Sequence, residues 1–202
     1  MIVYDFKQAK FYDTVNDLSK LPNISQLEIA IVGRSNAGKS SLLNTLTNQN
    51  KLAFTSKTPG RTQHINYFTI DKNDNVFLVD LPGYGYAKVP ESVRKRWISL
   101  LGDYLSTRKQ IVGLVLIMDV RHPLKDLDLQ MIEFFKIRNL PIHIVLSKVD
   151  KISRNESIMT LNKVKQKLNE LHLEKYSVQL FSSLKKLGVI ELNNVLNSWL
   201  SE

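Results

Sequence analysis

Gly33-Arg34-Ser35-Asn36-Ala37-Gly38-Lys39-Ser40 is a complete G-x-x-x-x-G-K-[ST] stretch. The apolar run Ile29-Ala30-Ile31-Val32 precedes it, and the helical pattern Ser41-Leu42-Leu43-Asn44-Thr45-Leu46 follows. A strand, a tight turn and a helix in that order make a cradle for a polyanion, because the free N–H groups of the first helical turn face it. Gly33 and Gly38 allow backbone conformations that a side chain would block. Lys39 can reach β- and γ-phosphates, and the Ser40 hydroxyl can ligate Mg²⁺. The stretch from Gly33 to Ser41 therefore predicts nucleotide binding. A fortuitous glycine-rich turn is the competing reading, and the strand before and helix after argue against it.

Outward from this loop, apolar runs alternate with helical patterns, which implies a largely parallel sheet covered on both faces. Strands are expected at 28–32, 64–70, 76–80, 111–118, 142–147 and 177–181, and helices at 39–48, 91–106, 125–139, 156–171 and 188–201. The runs at 111–118 and 142–147 are apolar nearly throughout, as strands buried on both sides must be. Asp71-Lys72-Asn73-Asp74-Asn75 suits the turn of an antiparallel hairpin. The expectation is an α/β fold with a six-stranded, mostly parallel sheet, one antiparallel edge pair and five helices. Residues 25–202 form one domain in this reading, and 1–24 a segment flanking it.

The chain has 202 residues, of which 43% are hydrophobic, enough for one α/β core. It has no cysteine, which excludes disulfides and thiolate metal sites. The strongly apolar run from Ile111 to Met118 is too short to span a bilayer. The start, Met1-Ile2-Val3-Tyr4-Asp5-Phe6, lacks the basic-then-apolar layout of a secretory signal. A cytoplasmic protein without membrane contact is expected, and a monomer by default. The net charge is +9, and residues 148–186 alone hold nine Lys/Arg against four Asp/Glu. Such a surface attracts polyanions, RNA among them, although a solvated helix face would look the same.

A phosphate loop does not separate kinases, ATPases and GTPases; four later segments do. Asp80-Leu81-Pro82-Gly83 follows the strand Val76-Phe77-Leu78-Val79. Asp80 there can hold Mg²⁺ through its water shell, and the Gly83 N–H can touch a γ-phosphate and register its loss. Ser147-Lys148-Val149-Asp150 closes the strand Ile142-His143-Ile144-Val145-Leu146. The Asp150 carboxylate can accept from guanine N1–H and N2–H₂, whereas adenine would set a lone pair against it. Discrimination built on such complementarity reaches about 10⁴. The Lys148 stem can lie over the base plane. Phe181-Ser182-Ser183 ends the last strand, and its backbone N–H groups can meet guanine O6. Thr58-Pro59-Gly60-Arg61-Thr62-Gln63 lies between the phosphate loop and the hairpin, where Thr62 can complete a Mg²⁺ shell beside Ser40.

The order of these segments resembles the translation-factor-like GTPases. The closer resemblance is to the EngB family of bacterial ribosome-assembly GTPases. Its carriers are the loop from Gly33 to Asn44, Thr58-Pro59-Gly60-Arg61-Thr62-Gln63, Asp80-Leu81-Pro82-Gly83-Tyr84-Gly85-Tyr86-Ala87 and Phe181-Ser182-Ser183-Leu184-Lys185-Lys186. The resemblance covers nearly all of the chain from about residue 25 onward. It implies a three-layer, Ras-like P-loop GTPase fold and a cytoplasmic factor that hydrolyses GTP with Mg²⁺. It also implies action in assembly of the large ribosomal subunit, in contact with rRNA and ribosomal proteins, and a looser association with cell division and septation. Ser147 departs from the commoner Asn or Thr. It keeps a hydroxyl, so guanine selectivity is expected to survive with weaker loop tethering.

In Ras-like enzymes a Gln directly after D-x-x-G positions the attacking water. Tyr84 stands there and cannot orient water as a carboxamide does, so slow unaided hydrolysis is expected. The resemblance extends to K⁺-stimulated GTPases, which carry Asn at the position of Asn36. That amide oxygen could face a K⁺ between the α- and γ-phosphates, or the side chain could serve only local backbone bonds. Catalysis is assigned to Lys39, Thr62 and Gly83, with Arg61 a weaker candidate as an internal finger. Tyr84 and Tyr86 either face a partner in one nucleotide state or bury against the helix 91–106. Arg94, Lys95 and Arg96 on that helix either touch phosphates or are simply solvated. A signalling GTPase with protein partners only is the rival function, and a small-molecule P-loop kinase a third.

Overall fold

The computed structural model describes residues 3–53, 64–85 and 91–201, of which 91–98 by backbone only. Its strands are β1 (Lys10–Val15), β2 (Leu27–Gly33), β3 (Ile65–Thr69), β4 (Val76–Asp80), β5 (Ile111–Asp119), β6 (Ile142–Ser147) and β7 (Tyr176–Leu180). Its α-helices are α1 (Lys39–Leu46), α2 (Glu91–Thr107), α3 (Asp126–Lys136), α4 (Arg154–Glu170) and α5 (Val189–Trp199). All seven strands share one sheet in the order β1-β3-β4-β2-β5-β6-β7.

The expected six strands are thus seven. The added one, β1, comes from the segment read as flanking, and it pairs antiparallel with β3. It escapes a pattern search because it is exposed at every residue except Val15, so it shows no inside–outside alternation. It also displaces the hairpin from the edge: β3 runs antiparallel to both β1 and β4 and lies one place inside. The hairpin turn forms as its residues dictate. Asp71 Oδ1 accepts from the N–H groups of Asn75 (2.9 Å) and Val76 (3.0 Å), and Asp74 takes a left-handed φ of 54°.

Period-two alternation in β2 sorts the core into two layers. Ala30 and Val32 face a cluster with Leu101, Tyr104 and Leu105 of α2, Ile132 and Phe135 of α3, and Val164 and Leu168 of α4. Ile29 and Ile31 face the opposite cluster with Leu42, Leu43 and Leu46 of α1 and Leu192, Leu196 and Trp199 of α5. A Val, Leu, Ile or Phe side chain wholly buried in these layers contributes roughly 2 kcal/mol relative to exposure. Gly113 in β5 makes room for Trp199, since a Cβ there would lie 2.4 Å from the indole.

Glu28 of β2 is charged yet wholly buried. Its Oε1 accepts from Arg108 Nε (2.9 Å) and Nη2 (2.6 Å), and its Oε2 accepts from the Tyr104 hydroxyl (2.6 Å). Arg108 Nη2 also donates to the Pro22 carbonyl at 2.6 Å, so one guanidinium ties α2, β2 and the N-terminal segment together.

The parallel strands bring Gly33, Asp80, Asp119, Ser147 and Leu180 to one sheet edge, with Ile31 beside Asp80, Gly33 beside Ile117, Asp119 beside Ser147 and Leu146 beside Leu180. The carboxyl ends of parallel strands are where α/β sheets hold ligands.

Candidate functional site

The Gly33–Ser40 turn begins against β5, where a Cβ on Gly33 would come 2.7 Å from the Ile117 carbonyl oxygen. Space, not dihedral freedom, demands that glycine. Gly38 is different: it caps α1 at φ 100°, a conformation that L side chains rarely adopt. Asn36 also sits in the left-handed region, at φ 63°, and its side chain is exposed. Ala37 is buried, while Arg34, Ser35, Lys39, Ser40 and Ser41 are half-buried. Lys39 Nζ pairs with the Asp80 carboxylate, and both side chains are almost out of solvent. Asn66 Nδ2 reaches the other Asp80 oxygen at 3.5 Å.

Leu81 and Pro82 are buried, and the Leu81 N–H donates to the Ile31 carbonyl at 2.9 Å. Their contribution is to place backbone, since Leu81 belongs to the core. Gly83 lies against the phosphate loop: a Cβ there would stand 3.3 Å from the Gly33 carbonyl oxygen and 3.5 Å from Ser35 N. Tyr84 fastens the approach, its N–H donating to Gly33 O (3.2 Å) and its carbonyl accepting from Ser35 N–H (2.8 Å).

Tyr84 is only 6% exposed, and its hydroxyl donates to Asp128 Oδ1 at 2.7 Å. Burial, with Asp128 beside it, pushes the Tyr84 hydroxyl far above the usual phenol range. Tyr84 thus packs, as one of the two readings had it: it belongs to the buried cluster that holds Leu101, Tyr104 and Leu105 of α2, and its hydroxyl is bonded to α3. A buried phenol that stays protonated and spends its hydrogen on Asp128 does not orient water.

Ser147 ends β6 with its hydroxyl 2.5 Å from the Ala37 carbonyl oxygen and 3.1 Å from that of Met118. Lys148, at φ 62°, donates from Nζ to the Asn36 carbonyl and lies 3.0 Å from Asp119 Oδ2. Asp150 Oδ1 accepts the Ser182 hydroxyl at 2.6 Å, and Oδ2 stands 3.4 Å from Lys151 Nζ. The Ser182 bond, with Lys151 alongside, holds the Asp150 carboxyl below the usual carboxylate range. Phe181 is fully buried, and its N–H donates to Leu146 at 2.8 Å. Ser182 is buried and Ser183 half-buried. The loop that follows them is exposed through Leu184, Lys185 and Lys186.

The phosphate loop, Asp80–Gly83, Ser147–Asp150 and Phe181–Ser183 are therefore joined by direct bonds into one continuous site. Thr58, Pro59, Gly60, Arg61, Thr62 and Gln63, with Tyr86 and Ala87, lie outside the described residues, as do the side chains of Arg94, Lys95 and Arg96. Asp119 and Asp128 were not among the expected residues. Asp119 had a readable signal, a lone carboxylate ending the apolar run of β5. Arg121 and Lys148 hold its carboxyl well below the ordinary range against the opposing effect of burial. Asp128 had no local signal, since its partner is forty-four positions away.

Ser40 and Asp80 supply a hydroxyl and a carboxylate, the hard oxygen donors that suit Mg²⁺. Among the described residues no cluster of three His, Cys, Asp or Glu could hold a metal. Among the described residues no helix is long and apolar enough to cross a membrane.

Residues 28–148 match the family model described as 50S ribosome-binding GTPase. The chain is 61% identical to the probable GTP-binding protein EngB of Neisseria meningitidis serogroup B over 96% of its own length and 92% of that protein. It is 56% identical to the protein of that name from Laribacter hongkongensis, covering 96% of this chain and 86% of the other. Among solved structures, a probable GTP-binding protein engB superposes with a TM-score of 0.68 at 23% identity, over 86% of this chain and 98% of that one. Era in complex with MgGDPNP and nucleotides 1506–1542 of 16S ribosomal RNA superposes with a TM-score of 0.66 at 22% identity, over 87% of this chain and 57% of that one. These two likenesses show the P-loop GTPase fold.

Proposed function

Because the chain belongs to the EngB family of GTP-binding proteins, P-loop GTPases whose family implies GTP hydrolysis, we propose that it is a nucleotide-dependent switch acting in assembly of the large (50S) ribosomal subunit. The observation that carries the nucleotide part is the pair of bonds from Ser147 to Ala37 and from Lys148 to Asn36, which fix the base segment onto the phosphate segment. One guanosine triphosphate spans both. The N–H groups of Gly38 to Ser41 and the Lys39 ammonium hold its phosphates, Lys39 leaving Asp80 to do so. Asp150 accepts from the guanine N1–H and N2–H₂, and Ser182–Ser183 border O6. Gly83 donates to the terminal phosphate.

Ser40, Thr62 and Asp80 would hold Mg²⁺, with Asp80 acting through water, and the ion supplies positive charge to the phosphoryl oxygens. Asn36 is the candidate ligand for K⁺. With Tyr84 in the place of the water-positioning Gln, intrinsic turnover is low and depends on K⁺ or on the ribosomal partner. The protein works as a cytoplasmic monomer, with a family-level link to cell division and septation. The +9 charge supports rRNA contact, since neutralising phosphates releases counterions. The RNA-bound Era of like fold supports it by analogy.

Co-sedimentation with purified 50S and pre-50S particles tests this reading. Binding is expected with a non-hydrolysable GTP analogue, to be weaker with GDP, and to fall as salt is raised. No binding in either nucleotide state would contradict it and favour a signalling GTPase with protein partners only.

A further inference from the structure

Tyr84 is held at three points, two on the phosphate loop through its backbone and one on α3 through its hydroxyl. The glycine after it, Gly85, has φ 81°, a conformation that adds little restraint of its own, so beyond the two backbone bonds the Tyr84 side chain is the anchor of this stretch to α3. We propose that Tyr84 is a positioning residue for the reaction: bonded to Asp128, its hydroxyl holds the preceding Gly83 N–H where a terminal phosphate would meet it. The assignment rests on the reading that Asp80–Gly83 addresses the γ-phosphate of GTP.

The partner is built for the purpose. Asp128 is completely buried, and its two oxygens have separate duties. Oδ2 accepts from the Lys125 N–H at 2.9 Å, fixing the start of α3, while Oδ1 is left for Tyr84. Arg34, inside the phosphate loop, turns toward the same point. Its buried Nε has no hydrogen-bond partner and lies 3.6 Å from where a Gly85 Cβ would stand. Its charge offsets that of the buried Asp128 carboxyl. Phosphate loop, Gly83 segment and α3 therefore meet around Tyr84, the loop at its backbone and α3 at its hydroxyl. A buried acceptor left without its donor is costly, so the hydroxyl, and not the ring alone, fixes the segment.

Preorganised donors aimed at developing charge are worth most when they need no rearrangement. Losing this bond weakens triphosphate recognition and leaves GDP, which lacks the phosphate in question, nearly untouched. Tyr84→Phe keeps the ring and removes only the hydroxyl. Fluorescent GDP and a fluorescent non-hydrolysable GTP analogue are titrated into wild type, Tyr84→Phe and Asp128→Asn, each with a thermal melt. Tyr84→Phe is expected to lose about tenfold in analogue affinity while GDP affinity stays within about twofold. Asp128→Asn offers one amide oxygen to two donors, the Tyr84 hydroxyl and the Lys125 N–H, so it too is expected to lose analogue affinity while GDP affinity is kept. An unchanged or increased preference for the analogue in Tyr84→Phe overturns the assignment. So does an equal loss for both nucleotides with a lowered melting temperature, which marks a structural role only. Wild type that binds neither nucleotide contradicts the GTP reading of the site itself.

Discussion

Ser182 donates its hydroxyl hydrogen to Asp150 Oδ1 across 2.6 Å, joining loops thirty-two positions apart. The same hydroxyl accepts from the Lys185 N–H at 3.1 Å, so its direction is fixed from both sides. An acceptor held in this way can favour one base edge over another, because the wrong base leaves a charge unpaired.

Asp150→Asn tests that consequence. The amide presents a donor where guanine also presents donors, so GTP affinity should fall by about 10² or more. Xanthosine triphosphate, with a carbonyl at C2, should gain relative to GTP. Competition against a fluorescent guanine nucleotide measures both effects.

His143 predicts a pH dependence of stability. Its Nδ1 accepts from the Ser177 hydroxyl (2.7 Å) and its Nε2 donates to Gln179 Oε1 (2.8 Å); the role of Oε1 follows because Gln179 Nε2 donates to Gly188 O at 2.8 Å. Burial holds the ring neutral, with its pKa lowered from 6.5 to about 4. The unfolded chain takes up the proton near the ordinary value and the folded chain only near the lower one. The neutral ring's contribution is thus complete above pH 6.5 and is lost as pH falls toward 4, by up to about 3 kcal/mol. Melting temperatures followed across that window should drop less steeply in His143→Gln than in wild type.

The parts of the molecule written in local pattern were legible in the sequence, and the parts written in distant pairings were not. The phosphate loop, the apolar β5 and β6, and the turn at Asp71–Asn75 carry their own residue signals. The start of α4 also had one: Ser153 Oγ accepts from Glu156 N–H (3.2 Å) and Glu156 Oε2 from Ser153 N–H (2.8 Å), a capping box that sets the first turn at Arg154 and not at 156. By contrast β1 is a strand only because β3 lies beside it. Tyr84 could be read as packed or displayed until Asp128 was seen under it. At the far end of α3, the expected helix stops at Lys136, because Asn139 turns left-handed at φ 52°.

Arg108 offers a stability test away from the nucleotide. Arg108→Ala leaves the Glu28 carboxylate buried without its cation, a loss of about 3–5 kcal/mol for ion pairs of this kind. Chemical denaturation should show it as a lower midpoint. Glu28→Gln, which keeps the partner of Tyr104 and removes the charge, should cost less.

Asn36 offers a test of the cation idea. Turnover of GTP in KCl should exceed that in NaCl for wild type, and Asn36→Ala should lose the difference. Equal rates in the two salts for wild type would remove K⁺ from the account.

The central claim is that the Lys39 loop and the Asp150 loop grip one guanosine triphosphate together, and calorimetric titration of GTP and of ATP into the wild-type protein tests it most directly. The account predicts GTP binding with a preference over ATP of about 10³ or more. Equal affinity for the two nucleotides, or binding of neither, would contradict it.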